Sequence, residues 1–254
     1  QLGDNLSAEL TEQQQARLAE TPFTFQPTPD KLAAFHARLR LELGLAPSGF
    51  YQGARTYLMA PELQDWQQLG LQGLADVSAR LSQDTELARH LGQQFFTLPE
   101  PVQNALLNQW QHQELPQALT EQLLNAINTE LERQAPDHER IALLLGATAG
   151  SPNFSARSKK IASLLTVAPS QALMLTLTAR LWQELTDETL LLSYLEQLAQ
   201  LHSEMFNGLF AELVTLPALR PLILTNLHNS ELSPALTHAM GQLFSGLTAA
   251  DAHD

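Results

Sequence analysis

Apolar residues recur at steps of three and four along most of the chain, which is the pattern of helices with one buried face. The pattern is clearest at positions 63, 66, 70, 74, 77 and 81, which are Leu63, Trp66, Gly70, Leu74, Val77 and Leu81. Pro61 precedes this stripe and suits the first position of a helix. We therefore expect one helix to begin at Pro61 and to carry the whole stripe.

Capping residues and prolines divide the rest of the chain into short helices. Ser7 predicts a helix to about Leu18, and the three prolines within residues 21–29 predict a linker. Asp30 predicts a helix ending near Gly44, and Ser48 predicts another ending near Met59. Later starts are indicated by Asp84, Pro99, Pro116, Asp137, Pro152, Ser170, Asp187, Ser203, Pro217 and Ser233. These marks predict an N-terminal helix and Pro-rich linker over 1–29 and a helical domain over 30–248.

The spacing of these starts predicts the architecture. From Asp137 onward they lie 14–18 residues apart, so two steps have the length of a helical hairpin repeat. Short loops make consecutive helices antiparallel neighbours. We expect the hairpins to stack as an α-solenoid of the HEAT or armadillo type, with a closed orthogonal helical bundle as the alternative.

An internal similarity raises the question of duplication. Thr97-Leu98-Pro99 recurs as Thr215-Leu216-Pro217, and residues 114–120 resemble residues 231–237. The offset of 117–118 residues spans seven predicted helices, whereas repeats of two helices need an even number. Duplication and chance similarity both stay open.

Composition supports an all-α fold. The chain of 254 residues holds 52 Leu and 32 Ala but only four Val and four Ile. Leu and Ala favour helices, and a sheet-based fold needs more β-branched residues than this. The composition excludes an all-β protein and disfavours an α/β fold.

Charge and cysteine content exclude several classes of partner and site. The net charge is −13, which disfavours nucleic acid and anionic membranes because phosphate binding depends on Lys and Arg. No apolar run approaches the roughly 20 residues of a membrane span. The chain has no Cys, hence no disulfide or thiolate site. Because it starts with Gln1, we expect a fragment or processed product of a longer protein.

Part of the chain resembles a known family. The residues that carry the resemblance are the Phe50-Tyr51 pair, the run Gln72-Gly73-Leu74-Ala75-Asp76, the later Leu-Pro turns and the segment Ser233-Pro234-Ala235-Leu236. They resemble uncharacterised conserved bacterial proteins that form a domain of unknown function. The resemblance covers about residues 25–244 and implies a cytoplasmic, mostly helical protein, with no activity to carry over.

Motifs for catalysis, cofactors and metals are lacking. The eight His include no His-Glu-x-x-His pair, and Asp137-His138-Glu139 reads as a helix start with a capping acid. The Gly-rich run over 145–151 lacks the Gly-Lys-Ser/Thr ending of a phosphate loop, and there is no Gly-x-Ser-x-Gly elbow. We therefore assign no catalytic, cofactor-binding or metal-binding residue and expect a protein without enzymatic activity.

The richest stretch of polar and aromatic residues is 36–76. Tyr51 and Arg55 are four residues apart and share a helix face, and Arg with aromatic residues is enriched at protein interfaces. The competing interpretation is ordinary packing, in which Phe50 and Tyr57 fill the core and Arg55 pairs with Asp65 or Asp76. The candidate partner or ligand surface consists of His36, Arg40, Tyr51, Arg55, Tyr57, Asp65, Trp66 and Asp76.

A second candidate surface is basic. Arg157, Lys159 and Lys160 lie within about one helical turn and form the densest basic spot. They are suited to an acidic partner or a phosphate group, although such a cluster is more often a solvated helix face.

Two functions follow from these patterns. The first is a non-catalytic protein-interaction or scaffold module, because stacked hairpins present an extended surface to a protein or peptide. The alternative is a helical small-molecule-binding protein or enzyme whose pocket contains His36, Tyr51, Arg55 and Trp66. The second function requires those side chains to converge on one cavity.

Overall fold

The computed structural model describes residues 27–63, 65–152, 154–229 and 232–251, and this part of the chain contains thirteen α-helices and no strand. The all-helical prediction is confirmed, whereas the predicted helix over 7–18 and most of the Pro-rich linker lie outside the described residues. The helices are α1 Pro29–Glu42, α2 Tyr51–Met59, α3 Leu71–Ala79, α4 Thr85–Gln94, α5 Glu100–Trp110, α6 Gln117–Leu131, α7 His138–Gly146, α8 Phe154–Val167, α9 Gln171–Arg180, α10 Glu188–Leu198, α11 Ser203–Thr215, α12 Arg220–Asn229 and α13 Pro234–Asp251.

Side-chain caps begin several helices where the sequence predicts them. Asp84, Asp137, Ser170 and Asp187 each accept a hydrogen bond from the backbone N–H three residues later, which satisfies a free donor of the first turn. At the other end of α1, Gly44 has a φ of +65°, a left-handed conformation that favours glycine. From α7 to α13 successive helices start 14–17 residues apart, as expected.

The predicted helix from Pro61 is wrong. Two short 3₁₀ helices, Pro61–Leu63 and Trp66–Gln68, precede α3 instead. Asp65 accepts a hydrogen bond from the Gln67 N–H, and Gly70 is extended, so the chain turns before α3 begins. Leu74, Val77 and Leu81 are buried, whereas Trp66 is half-buried and Gly70 is exposed.

Other boundaries shift by a few residues. Thr28 rather than Asp30 precedes α1, and Phe50 rather than Ser48 precedes α2. The helix predicted from Pro217 begins at Arg220. Prolines disfavour a helical conformation in the residue before them and therefore mark a break more reliably than a first residue.

The described helices pack in two rows. In one row α1 contacts α3, and the same step of two continues through α5, α7, α9 and α11 to α13. In the other row α2 contacts α4, and the step continues through α6, α8 and α10 to α12. Contacts such as α2 with α3 and α6 with α7 join the rows. Each helix therefore meets neighbours on more than one face.

The two similar segments of the chain do not occupy equivalent positions in these rows. Residues 97–99 precede α5, and residues 215–217 precede α12. Helix α5 lies in the first row and α12 in the second, because their separation of seven helices is odd. The two segments therefore meet different surroundings.

One hydrophobic core runs between the rows from Ala54 to Met240. Helix α1 is attached differently, because Ala33 and Ala37 pack against Ala75 and Ala79 of α3 in a separate small cluster. Small residues allow these two helices to approach closely while leaving the larger side chains of α1 elsewhere.

A buried ion pair organises the middle of the array. Arg157 of α8 is 1% exposed, and its Nε lies 2.7 Å from Oε1 of Glu184, which is 5% exposed. The guanidinium also donates to the carbonyls of Thr148 and Ser151, at 2.6 and 2.8 Å. Thus one cation fixes the loop between α7 and α8 and joins it to the 3₁₀ helix Trp182–Thr186.

Close backbone packing holds the same loop from the other side. A Cβ atom on Gly150 would lie 2.3 Å from the Gln113 carbonyl oxygen, so only glycine fits. The Thr120 hydroxyl lies 3.0 Å from that of Ser151. The Gly-rich run over 145–151 therefore serves packing between helix ends.

We expect Arg157→Met to destabilise the protein by about 3–5 kcal/mol, because it leaves the Glu184 carboxylate buried without its cation. The free energy of unfolding is measured by urea denaturation. As a control, Lys159→Met removes an exposed cation from the same helix and should change stability by less than about 0.5 kcal/mol. Equal losses in the two variants would contradict the assigned role of the buried pair.

Candidate functional site

The first candidate residues lie on α1. His36 and Arg40 are both exposed, and the His36 ring lies 6.0 Å from that of Phe35. Arg40 donates to the Ala46 carbonyl at 3.1 Å, across the left-handed turn at Gly44. Arg40 thus helps to close the end of α1, and a partner contact by either residue stays a prediction.

Tyr51 and Arg55 both face the start of α4. The Arg55 Nε lies 2.6 Å from Oδ2 of Asp84, and its terminal nitrogen lies 2.9 Å from Oε2 of Glu86. Arg55 lowers the pKa of Asp84, and the Tyr51 hydroxyl contributes less to this shift. Burial, followed by the charge of Asp84, raises the pKa of Tyr51. The prediction that Arg55 pairs with Asp65 or Asp76 is wrong, because Arg55 pairs with Asp84 and Glu86.

Tyr57, Asp65 and Trp66 take part in core packing and helix capping. Tyr57 is 1% exposed, and burial raises the pKa of its hydroxyl. Trp66 is half-buried against the core, and Asp65 caps the second 3₁₀ helix. Phe50, which we expected to fill the core, is 64% exposed. The aromatic pair Phe50-Tyr51 is thus divided between solvent and the core edge.

Asp76 is fully buried and holds the loop between α1 and α2. Its Oδ2 accepts from the Ser48 N–H at 3.1 Å. Arg80, one turn later in sequence, lies 3.6 Å from Oδ1 of Asp76 and donates to the Leu45 carbonyl at 3.0 Å. Arg80 was not among the residues predicted from the sequence, although its spacing of four from Asp76 was a usable signal.

The candidate side chains therefore separate into several arrangements. Tyr51 and Arg55 both interact with Asp84. Ser48 and Arg80 both interact with Asp76. His36 and Arg40 lie on the exposed side of α1. Such a division suits local packing and surface contacts better than convergence on one ligand.

Two clefts in other parts of the array were not predicted. The first has a volume of about 580 Å³ and lies between the start of α5, the second half of α6 and the start of α7. Arg140 in its wall donates to Oδ1 of Asn104 at 2.8 Å and to Gln103. Glu130 accepts from the Asp137 N–H at 3.1 Å and lies 3.1 Å from Arg133. These wall charges are engaged with protein groups.

The second cleft is an apolar groove of about 530 Å³ along α4 and the start of α6. Its apolar wall is formed by Leu81, Ala88, Gly92, Leu115, Pro116 and Ala118, with Arg89 and Glu114 among the polar residues. A Cβ on Gly92 would meet no atom within 4 Å, so the missing side chain leaves the groove open. Gly92 in a helix was a usable signal that the sequence analysis overlooked.

One of the three residues of the predicted basic surface, Arg157, is not at the surface. Arg157 is buried in the ion pair with Glu184, so the interpretation of all three residues as a solvated helix face is wrong for it. Lys159 is exposed, and Lys160 donates to Oδ1 of Asn128. Burial lowers the pKa of Lys160. Partner binding by the two lysines stays a prediction.

The described residues contain neither a cluster of metal-ligand side chains nor a membrane-spanning helix. No group of three or more His, Asp or Glu side chains there is placed to hold a metal ion. None of the described helices combines the length and apolar character needed to cross a bilayer.

One family comparison gives a match. The family described as "Protein of unknown function (DUF3549)" matches residues 1–244. No curated protein and no solved structure is significantly similar to the chain.

We expect Arg55→Ala to lower stability at pH 7 by about 0.5–1 kcal/mol, because the pair is partly buried. Asp84 has a lowered pKa in the folded state, so its stabilising contribution is present above about pH 4 and lost as pH falls through the lowered pKa. The difference between wild type and variant should therefore shrink between pH 7 and pH 3 in urea denaturation.

Arg38→Ala is the control for this prediction. It breaks an ion pair with Glu42 in which both side chains are more than half exposed, so its effect should be smaller at pH 7. A difference for Arg55→Ala that is independent of pH would contradict the role of Asp84.

Proposed function

The chain belongs to the DUF3549 family of proteins of unknown function, and we propose that it is a non-catalytic protein-interaction module built as an open α-solenoid. A segment of a protein partner lies in the apolar groove between α4 and α6. The observation that carries this proposal is the groove itself, which is apolar, open and lined by two helices of the same row.

The two-row packing supports an open array. Among the described helices, no pair with more than marginal contact is separated by more than four positions in the chain. A closed bundle brings its first helices against its last, whereas a solenoid limits contacts to near neighbours. The contact pattern therefore favours the solenoid over the closed bundle.

The groove suits a helix or an extended peptide with apolar side chains. Docking of an apolar helix face into a groove is a recurrent mode of recognition, and specificity comes from polar groups around it. Arg89 and Glu114 provide one charge of each sign there. A partner segment with an acid and a base flanking its apolar anchors is complementary to this arrangement.

The alternative, a small-molecule or enzyme pocket near residues 36–76, has weaker support. Two residues of that pocket, Tyr51 and Arg55, interact with Asp84 instead, and His36 is exposed on α1. Neither of the two clefts described above is lined by any of these residues. Ligand pockets need a few polar groups directed at one space.

The shape of the protein in solution tests the solenoid. A compact globule of 254 residues has a radius of gyration of about 18 Å. We expect small-angle X-ray scattering to give a clearly larger radius of gyration. The distribution of interatomic distances should have a tail towards long distances. A radius at or below about 18 Å would exclude the open array.

Filling the groove tests the partner site. Gly92→Leu places a side chain in the groove and replaces a helical glycine, which should stabilise α4 by about 0.5–1 kcal/mol. In affinity capture from the source cell, quantified by mass spectrometry, the variant should lose a partner about tenfold or more, equivalent to at least about 1.4 kcal/mol.

The matched control is Gly208→Leu, a change in α11 at a position that also has no neighbouring atom within 4 Å. It should gain similar helix stability and retain the partner. Equal recovery of the same proteins by both variants would refute binding in the groove.

A further inference from the structure

Arg140 differs from the other arginines that the fold withdraws from solvent. Arg55, Arg80 and Arg157 are buried or half-buried, and each of them forms an ion pair with a carboxylate. Arg140 of α7 is also half-buried, yet no carboxylate of the described residues forms an ion pair with it. A charge that is partly removed from water without a counter-ion is unfavourable. The position of Arg140 therefore needs an explanation.

Neutral groups hold the Arg140 guanidinium in place. Its Nη1 donates to Oδ1 of Asn104 at 2.8 Å, and its Nη2 donates to Oε1 of Gln103. Gln103 is itself fixed, because its Nε2 donates to the Leu98 carbonyl at 2.7 Å. The two amide oxygens orient the guanidinium without neutralising its charge. A guanidinium has five N–H groups, so these two bonds leave three of them without a described protein acceptor.

Arg140 lines the cleft between α5, α6 and α7, which has a volume of about 580 Å³. This volume lies in the range of pockets that hold small ligands. A carboxylate matches a guanidinium because two parallel N–H···O bonds can form between them. The cleft thus offers an anion a cation that is held in position and partly shielded from solvent.

The other charges of the cleft restrict which anion fits. Glu130 and Arg133 lie 3.1 Å apart and neutralise each other. Glu100 and Asp137 also line the cleft, and neither of them has an ion-pair partner among the described residues. A polyanion would be repelled by these two carboxylates. A ligand with one carboxylate and one ammonium group is complementary to charges of both signs.

An apolar part of the wall favours a ligand that also has an apolar side chain. Phe96, Ala126 and Leu144 line the cleft beside the charged residues. The Phe96 side chain is 40% exposed, so it has apolar area left to bury. Removing this area from water on binding would stabilise the complex.

We propose that the cleft between α5, α6 and α7 binds a small zwitterion of the amino-acid type with an apolar side chain. Arg140 binds the carboxylate, Glu100 binds the ammonium group, and Phe96 packs against the side chain. The cleft shares no lining residue with the partner groove between α4 and α6. Either proposal can therefore fail without the other.

Isothermal titration calorimetry with the full chain tests the ligand class. The probes are L-leucine, L-phenylalanine and the dipeptide leucyl-phenylalanine, each compared with its analogues that lack the ammonium or the carboxylate group. We expect binding of at least one zwitterion, with each of its two analogues about tenfold or more weaker, because each lacks one charged hydrogen-bonding group. An absence of binding by all three zwitterions would overturn the proposal. An analogue that binds as tightly as its parent would exclude a zwitterion site.

Arg140→Met tests the carboxylate contact. It should weaken binding of the tightest zwitterion by about tenfold or more, because the only cation without a protein counter-ion in the described wall of the cleft is lost. The matched control is Arg180→Met, because Arg180 donates to the neutral Gln111 side chain at 3.0 Å but does not line this cleft. Arg180→Met should leave the affinity unchanged, and equal affinities of the two variants would refute the assignment.

Glu100→Gln tests the ammonium contact independently of the folding of Arg140→Met, since Glu100 is an exposed residue in the first turn of α5. It should weaken the zwitterion about tenfold and leave the affinity of the analogue without ammonium unchanged. Glu139→Gln is the control, because Glu139 is an exposed acid in the first turn of α7 outside the cleft. No loss in Glu100→Gln, or an equal loss for zwitterion and analogue, would contradict the proposed orientation of the ligand.

Discussion

The structure depends on one constraint: each short helix must bury apolar surface against more than one neighbour. A helix of nine to fifteen residues is marginal alone and gains most of its stability from packing. The chain meets this constraint with Leu, which fills the space between the rows, and with Ala, where α1 approaches α3. Capping side chains keep the connections short enough for the next helix to return. Caps, short loops and composition are therefore parts of one solution.

The features that the sequence predicted depend on local chemistry. Asp84, Asp137, Ser170 and Asp187 cap helices because the acceptor and its N–H lie three residues apart. The partner of Arg55 lies 29 residues away and that of Arg157 lies 27 residues away, and no local pattern encodes either distance. The stripe from Pro61 had helical spacing, yet the turn at Asp65 and Gly70 redirected the chain. Pattern fixes which side is apolar, but tertiary contacts decide where a helix starts.

The described helices leave apolar area exposed in two places. Gly92 leaves a gap along α4, and Leu32, Phe35 and Leu39 on α1 are 42%, 61% and 43% exposed. Elsewhere the Leu-rich faces cover one another. Two of the charged residues singled out in the sequence hold loops: Asp76 binds the Ser48 N–H in the α1–α2 loop, and Arg157 binds the Thr148 and Ser151 carbonyls in the α7–α8 loop. The proposed partner groove is thus a gap in packing, while partner binding by the polar residues of 36–76 stays a prediction.

The position of the Arg157 ion pair has a consequence for how the molecule folds. Contacts between near neighbours in sequence have a low loop-closure cost, so formation of the rows can spread from a local nucleus. The ion pair joins α8, the α7–α8 loop and the segment before α10, which couples the central helices into one cooperative unit. Side-chain hydrogen bonds also hold the ends. The Asp76 carboxylate of α3 accepts from the Ser48 N–H in the α1–α2 loop, and Glu196 of α10 accepts from the Ser233 N–H before α13. Local opening of an end helix therefore has to break such a bond as well as apolar contacts.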